Sequence, residues 1–141
     1  MLCPGCGQRR KGALYITEPY FDEGGSDITM VSITRPVRDR TGRFIGVAGA
    51  DISLKDIGTR LQSSDGDMFL VSKDGTVIVH PEARLMLRKG YAGESLVNLP
   101  AGAVIAAQAS GSTRAVVNGT PRTFVWQTAP LTGWRVVIGL P

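Results

Sequence analysis

The chain has few of the residues on which catalysis and metal binding depend. Its 141 residues include one histidine, His80, and two cysteines, Cys3 and Cys6. No G-x-S-x-G sequence, phosphate-binding glycine loop or clustered carboxylate pair is present, so hydrolase and nucleotide chemistry lack a motif. A zinc site needs four ligands, which one C-x-x-C and one histidine cannot supply within a single chain. We therefore expect no enzymatic activity, no metal site and no cofactor.

The chain also lacks a long apolar run. No stretch of about 18 apolar residues occurs, so we expect no transmembrane segment within it. Nor does an apolar stretch follow Met1, as it would in a secretory signal peptide. Two interpretations remain open at this point: a soluble protein that is not exported, or a piece of a longer membrane protein.

Aromatic residues are scarce and positive charge is not concentrated. Aromatic side chains make up 6% of the chain, and the net charge is +4. A nucleic-acid-binding surface gathers basic residues on one face, with aromatic residues between them. Here the one dense basic group, between Arg35 and Arg43, spans a predicted hairpin turn. We expect a solvated hairpin and no nucleic-acid partner.

The residues that are present favour short strands joined by many turns. The chain is 43% hydrophobic, enough for a core, and it contains 18 glycines and 8 prolines. Residues 1–12 show no periodicity and are predicted to form a poorly ordered tail. Strands are predicted at 27–37 and 44–52, with a turn at 38–43. Glycines interrupt the alternation of the second strand, which is typical of a central strand buried on both faces.

A helix and a second unit follow. The apolar residues of 54–61 fall on one face at helical spacing, and Ser53 can begin this helix. Strands are predicted at 68–71, 76–80, 113–117, 122–128 and 134–140, with a loop at 81–99 and a helix at 103–109. Asn118-Gly119 is a strong hairpin signal. The order predicts a five-stranded antiparallel sheet with a helix and a loop on one face, and hence an α+β fold.

The stretch 45–54, IGVAGADISL, holds the strongest candidate for a binding residue. Its small residues allow another group to approach the backbone closely. Asp51 is predicted at the end of the strand beside a buried surface, where a carboxylate needs a partner. That partner is either the cationic group of a ligand or an internal group: backbone N–H groups, an arginine of the chain, or the start of the following helix.

Several segments together resemble the double Cache family. They are Tyr20-Phe21-Asp22, residues 31–37 (VSITRPV), 46–54 (GVAGADISL), 70–81 (LVSKDGTVIVHP) and 132–137 (TGWRVV). Double Cache domains are extracytoplasmic sensor domains of bacterial chemoreceptors, histidine kinases and diguanylate cyclases. They contain two PAS-like modules, each an antiparallel sheet with flanking helices, behind one long N-terminal helix.

The resemblance implies a division of the chain. Residues 1–12 would be a tail, and residues 13–53 the C-terminal half of a membrane-distal module. Residues 54–66 would form a connecting helix and turn, and residues 67–141 a complete membrane-proximal module. We therefore expect an N-terminally truncated sensor domain whose parent protein is anchored in a membrane.

The resemblance also implies a ligand site. In amino-acid-binding members, a Tyr-x-Asp and a later aspartate grip the ammonium group of the ligand, and Tyr20, Asp22 and Asp51 match these positions. The Arg-x-Trp-Tyr segment that grips the ligand carboxylate would begin at residue 2, where residues 2–5 read LCPG. We therefore expect a small cationic or amino-acid-like metabolite as the ligand.

Tyr20 and Asp22 are also compatible with purely structural roles. Tyr20 is typical of a core aromatic residue, and Asp22 of a turn. A further hypothesis is a secondary pocket formed by Asp74, His80, Tyr91 and Trp126. The competing interpretation there is a structural histidine and a core tryptophan. The alternative function is a ligand-free relay or a dimerisation module, since unpaired strand edges in the first unit would invite pairing with a second copy.

Overall fold

The computed structural model describes residues 13–61 and 67–141, which form two antiparallel sheets and two short helices. The first unit contains β1 (Tyr15–Ile16), β2 (Tyr20–Phe21), β3 (Thr29–Arg38) and β4 (Phe44–Ser53), followed by α1 (Leu54–Leu61). The second contains β5 (Asp67–Val71), β6 (Val77–Val79), α2 (Gly102–Ala107), β7 (Ser110–Val117), β8 (Thr120–Thr128) and β9 (Arg135–Leu140). The predicted α+β class is confirmed. The predicted tail at 1–12 and the end of the predicted connecting segment, residues 62–66, lie outside the described residues.

The first sheet is organised around β3. The short strands β1 and β2 pair with successive parts of one edge of β3, and β4 pairs with the other edge. Ser32 of β3 lies opposite Asp51 of β4 in this register. The strands β1 and β2 were not predicted, because two residues are too few to show a period of two.

The prediction that β4 is a central strand buried on both faces is wrong. Among the described residues β4 pairs with β3 alone, and all its residues except Gly46 and Ser53 are exposed. Phe44 is 45% exposed, Ile45 57% and Val47 41%. A run of small and apolar residues shows that a strand can tolerate neighbours on both sides, but it does not show that those neighbours are present. Asp51 is exposed like its neighbours in β4, although its carboxylate contacts the buried Ser32.

The second sheet has the predicted five antiparallel strands, in the order β6-β5-β9-β8-β7. The turn between β7 and β8 is formed by Asn118 and Gly119, which both have positive φ, 51° and 80°. This backbone geometry matches the right-handed twist of the flanking strands. The loop before α2 contains two single 3-10 turns, Ala83–Leu85 and Leu96–Asn98.

The helix α2 ends earlier than predicted. Its last residue is Ala107, and Ser110 and Gly111 already belong to β7. Gly111 lies opposite Trp126, and a Cβ atom at Gly111 would lie 2.9 Å from the tryptophan ring. The glycine therefore allows close packing within the sheet and does not end the helix.

The second sheet packs on both faces. Phe69 and Val71 of β5 face a core cluster with Ile105 of α2, whereas Leu70 between them faces the cluster that contains Leu54 of α1. The second cluster also contains Val31 and Trp134, so it joins the two sheets. Trp126 and Trp134 are both buried, which supports the interpretation of Trp126 as a core residue. Neither helix in the described parts of the chain is long and apolar enough to cross a bilayer.

Candidate functional site

A hydrogen-bond chain links Tyr20, Ser32 and Asp51 on the face of the first sheet that points away from the second. The Tyr20 hydroxyl lies 2.7 Å from Ser32 Oγ, and Ser32 Oγ lies 2.5 Å from Asp51 Oδ1. Because an ionised carboxylate only accepts hydrogen bonds, the Ser32 hydroxyl donates its proton to Asp51. A serine has one hydroxyl proton, so Tyr20 must be the donor to Ser32. The sheet therefore places two of the three predicted site residues in one network.

Ser32, the central residue of this hydrogen-bond chain, is itself held in place by hydrogen bonds to Thr17. Ser32 is buried, 6% exposed, and its backbone N–H donates to Thr17 Oγ1 at 2.9 Å. The Thr17 backbone N–H in turn donates to the Ser32 carbonyl at 3.0 Å. Buried polar groups are costly unless they are paired, and these bonds satisfy them. Ser32 and Thr17 were missed from the sequence, although the hairpin register could have placed a polar residue opposite Asp51.

Asp51 itself is exposed, and its second carboxylate oxygen stays available. Within residues 13–61 and 67–141 the carboxylate accepts a hydrogen bond from Ser32 only, and no lysine or arginine forms an ion pair with it. It does not cap α1, because β4 continues to Ser53. The internal partner of Asp51 in the described residues is the Ser32 hydroxyl, and none of the internal partners that the sequence suggested is seen there.

Asp22 is engaged elsewhere. Its Oδ2 accepts hydrogen bonds from the Ser26 backbone N–H at 2.7 Å and from the Ser26 hydroxyl at 2.9 Å. These two bonds hold the pKa of the Asp22 carboxyl below its usual value. The backbone N–H of Asp27 donates to the Asp22 carbonyl and completes the loop. The structure therefore does not bring the Asp22 carboxylate into the Tyr20–Ser32–Asp51 chain.

The four residues of the predicted secondary pocket do not share one cavity. His80 lines a cavity of about 740 Å³ on the second sheet, and Asp74 lines another of about 450 Å³ beside β1 and Trp134. The Tyr91 hydroxyl donates to Glu94 at 3.3 Å. Trp126 is a core residue whose indole N–H donates to the Gln108 carbonyl at 3.0 Å.

The comparison with protein families settles which family this fold and these residues represent. The family model described as a Cache domain (dCache_1) matches residues 8–141. The chain belongs to the Cache domain family. The double Cache resemblance drawn from the sequence segments is thereby confirmed.

Curated relatives of this Cache domain are bacterial chemoreceptors. The methyl-accepting chemotaxis protein PscA of Pseudomonas syringae pv. tomato is 38% identical over 77 residues, which are 52% of this chain and 12% of PscA. The methyl-accepting chemotaxis protein PctB of Pseudomonas aeruginosa is 36% identical over 75 residues, 50% of this chain and 12% of PctB. The chain therefore spans a small part of these relatives.

Solved structures of sensory domains have the same fold. The ligand-binding domain of the Pseudomonas fluorescens chemoreceptor CtaA, in complex with L-serine, has a TM-score of 0.66 at 26% identity, covering 95% of this chain and 57% of that one. The periplasmic sensory domain of the Campylobacter jejuni chemoreceptor Tlp1 has a TM-score of 0.71 at 22% identity, covering 94% of this chain and 50% of the Tlp1 domain. The chain thus spans about half of each, and at 22% identity the second likeness concerns the fold alone.

These matches confirm the predicted role and location at the level of the domain. This Cache domain is a sensory domain of the extracytoplasmic type found in bacterial receptors. The family is one of sensors and not of catalysts.

Proposed function

We propose that this Cache domain senses a small molecule that carries an ammonium group, an amine or an amino acid, and that it has no enzymatic activity of its own. Asp51 binds the ammonium group, Ser32 orients Asp51, and Tyr20 completes the chain. Asp22, the third predicted residue, supports the site by closing the loop after β2. The parent protein is a membrane-anchored bacterial receptor.

The observation that carries the proposal is the orientation of Asp51. An ammonium group in a binding site needs a fixed negative charge and hydrogen-bond acceptors. Asp51 supplies the charge, and its Oδ1 is fixed by Ser32 while its carboxylate stays exposed and free of any described ion pair. Structures of the similar CtaA domain in complex with L-serine and with L-alanine support this ligand class.

The proposal gives the main role in recognition to the ammonium group and little to a ligand carboxylate, because of the residues that match the family's carboxylate-binding segment. Residues 2–5 read LCPG and carry no positively charged side chain that could pair with a ligand carboxylate. We therefore expect the domain to bind an amine about as well as the matching amino acid.

The proposed organisation of the chain gives the ligand a route to the rest of the receptor. Residues 13–53 form part of a membrane-distal module, residues 54–66 connect it, and residues 67–141 form the membrane-proximal module. The buried core cluster that contains Val31, Leu54 and Leu70 supports mechanical coupling between the two sheets. If the two sheets can adopt two relative arrangements, a ligand that binds one arrangement more tightly shifts the population toward that arrangement.

The experiment that tests the proposal is a thermal-shift titration with L-alanine, ethylamine and propionate. The three probes share a small apolar body. L-alanine carries both an ammonium and a carboxylate group, ethylamine carries the ammonium group alone, and propionate carries the carboxylate alone. L-alanine and ethylamine should stabilise the domain, by about 2.7 kcal/mol at a hundredfold excess over the dissociation constant. Propionate should have no effect.

Asp51→Asn should abolish this stabilisation without lowering the melting temperature of the free domain. The matched control is Asp56→Asn, which removes one exposed carboxylate from α1. Stabilisation by ethylamine that persists in Asp51→Asn contradicts the proposal, as does a response to propionate.

A second candidate function, a dimerisation module, rests on the exposed edge of β4. Within residues 13–61 and 67–141 one edge of this strand is unpaired, and a long apolar strand of that kind is prone to pair with another chain. In a two-fold antiparallel pair of β4 strands centred on Val47, Arg43 of one copy would lie opposite Asp51 of the other. Opposite charges in directly facing positions stabilise such pairs. A homodimer of this kind would use Asp51 itself, so dimerisation and amine binding would compete.

Light scattering after gel filtration separates the two functions. If β4 mediates a dimer, Val47→Lys should yield a monomer, because it places a charge in the strand pair. Val104→Lys is the control, since Val104 is similarly exposed on α2, 44% against 41%. A wild-type domain that is monomeric at high concentration excludes the second candidate.

A further inference from the structure

The second sheet carries a cavity that is independent of Asp51. It has a volume of about 740 Å³ and lies between the sheet and the loop that contains the two 3-10 turns. Cavities of 300–1,000 Å³ with an apolar lining and a few polar groups are typical small-molecule sites. Its lining residues come from β5, from the loop that begins at His80 after β6, and from the β7–β8 hairpin. The cavity therefore belongs to the second unit alone.

The floor of the cavity is aromatic. The rings of Phe69 and Phe124 meet edge to face, with centroids 6.4 Å apart. The imidazole of His80 packs against Phe69, with centroids 5.2 Å apart. Both phenylalanines are buried and belong to the core cluster, so the floor is fixed by the packing of the sheet. The apolar body of a small ligand can rest on such a floor.

His80 contributes a neutral hydrogen-bond donor. Its Nδ1 accepts a hydrogen bond from the Glu82 backbone N–H at 2.9 Å, which places the ring proton on Nε2. Burial lowers the pKa of His80 below its ordinary value, so the ring is neutral at pH 7. The cavity thus gains no positive charge from its histidine.

The charged groups of the cavity sum to one negative charge. Three carboxylates and two guanidiniums line it: Asp67, Glu82, Glu94, Arg84 and Arg122. Arg122 pairs with Asp67, and Arg84 pairs with Glu82 at 2.6 Å. Glu94 forms no ion pair within the described residues.

Glu94 is held in place as an anion. Its Oε1 accepts hydrogen bonds from Asn98 Nδ2 at 2.8 Å and from the Ser95 backbone N–H at 2.9 Å. The bond from Asn98 is the main reason why the pKa of Glu94 lies below its usual value. Its Oε2 accepts one long bond, 3.3 Å, from the Tyr91 hydroxyl. Glu94 Oε2 can therefore accept a further hydrogen bond.

We propose that this cavity binds a small organic cation, a protonated amine whose ammonium group pairs with Glu94 and whose apolar body packs on Phe69 and Phe124. The domain then has a second ligand site on the second sheet, distinct from the site at Asp51. The net negative charge of the lining selects a cation over an anion of the same shape. The aromatic floor selects a cation with an apolar body over a simple ammonium ion.

The experiment is an amide NMR titration of the whole chain with three matched probes: phenethylammonium, phenethyl alcohol and hydrocinnamate. All carry a phenyl ring on a two-carbon linker, and they differ in charge. Phenethylammonium should shift the amide resonances of His80, Glu94 and Leu99, and bind about tenfold more tightly than phenethyl alcohol, a difference typical of one charge-assisted hydrogen bond. Hydrocinnamate should bind most weakly.

Glu94→Gln should reduce the affinity for phenethylammonium to that for phenethyl alcohol, because it removes the charge and keeps an acceptor for Asn98. Glu23→Gln is the control, since it removes one exposed carboxylate on the β2–β3 loop and should leave the titration unchanged. Equal binding of the three probes overturns the proposal. Shifts confined to Ser32 and Asp51, with none at His80, Glu94 and Leu99, also overturn it, since they assign the cation to the first site alone.

Discussion

The Ser32 hydroxyl lies 2.5 Å from Asp51 Oδ1, and it is the described hydrogen bond that orients this exposed carboxylate. The contact arises from the register of one hairpin, in which β3 and β4 place the two residues directly opposite each other. A shift of the register by one residue would turn Ser32 to the other face of the sheet. The candidate site therefore depends on the pairing of two strands more than on any loop.

Ser32→Ala should weaken ethylamine binding without unfolding the domain. The change frees Asp51 to rotate, and it removes the acceptor of the Tyr20 hydroxyl. We expect about a tenfold loss of affinity and a decrease in the free energy of unfolding of about 1 kcal/mol, typical of one lost hydrogen bond. Isothermal calorimetry and urea unfolding measure the two quantities.

A double-mutant cycle with Tyr20→Phe tests whether the three groups act as one chain. If they do, Ser32→Ala and Tyr20→Phe should not be additive, and their coupling should exceed about 0.5 kcal/mol. Additive effects would mean that Tyr20 serves the core and not the site.

Asp22→Asn should lower stability and leave ethylamine binding intact. The hydrogen bonds from Ser26 lower the pKa of Asp22 in the folded state. The contribution of Asp22 to stability is therefore present above its unfolded pKa and is lost as the pH falls through its folded pKa. The stability difference between wild type and Asp22→Asn should be visible at pH 7 and vanish in acid. Loss of ethylamine binding in a folded Asp22→Asn domain would instead make Asp22 a ligand residue.

Stability should depend on His80 as the pH falls below about 6.5, the ordinary pKa of histidine. Burial lowers the pKa of His80 in the folded state, so the unfolded chain takes up the proton first. The free energy of unfolding should decrease as the pH falls from 6.5 towards the lowered folded pKa. His80→Asn should remove this dependence of the unfolding free energy on pH. The fold should be kept, since Asn Oδ1 can still accept a hydrogen bond from the Glu82 backbone N–H. His80 is the only histidine of the chain, so a slope that persists in the variant must come from another group.

Gly102→Ala should strongly destabilise the second unit. A Cβ atom at Gly102 would overlap the Leu96 carbonyl oxygen, so the helix α2 and the preceding turn must separate. Overpacking of this kind costs about 3 kcal/mol or more. Gly46→Ala is the control, because nothing lies within 4 Å of its Cβ position, and it should be neutral or slightly stabilising. Urea unfolding compares the two, and equal stabilities would show that α2 adjusts freely.

The second sheet was predictable because its signals are local. Asn118-Gly119 sets a two-residue hairpin, and residues 70–79 show a strand, a tight turn and a returning strand. Each of these features depends on neighbours within about ten residues along the chain. The predicted strands agree with β5 to β9 to within a few residues at each end.

The surroundings of β4 were not predictable in the same way. Its sequence permits close neighbours on both sides, but pairing is decided by strands distant in sequence. The same limit applies to the site. Tyr20 and Asp51 were predicted individually, whereas Ser32, the residue that connects them, becomes visible only when the register of β3 and β4 is known.

The sequence by itself determined the fold class, the family and the chemical type of the candidate residues, because turn residues, strand periodicity and short motifs act over short distances. The tertiary structure decided which of those residues meet. It joined Tyr20 to Asp51 through Ser32, committed Asp22 to its own loop, left β4 exposed, and gathered His80 and Glu94 around one cavity. Such contacts depend on the packing and register of segments far apart in the chain, which local patterns do not specify.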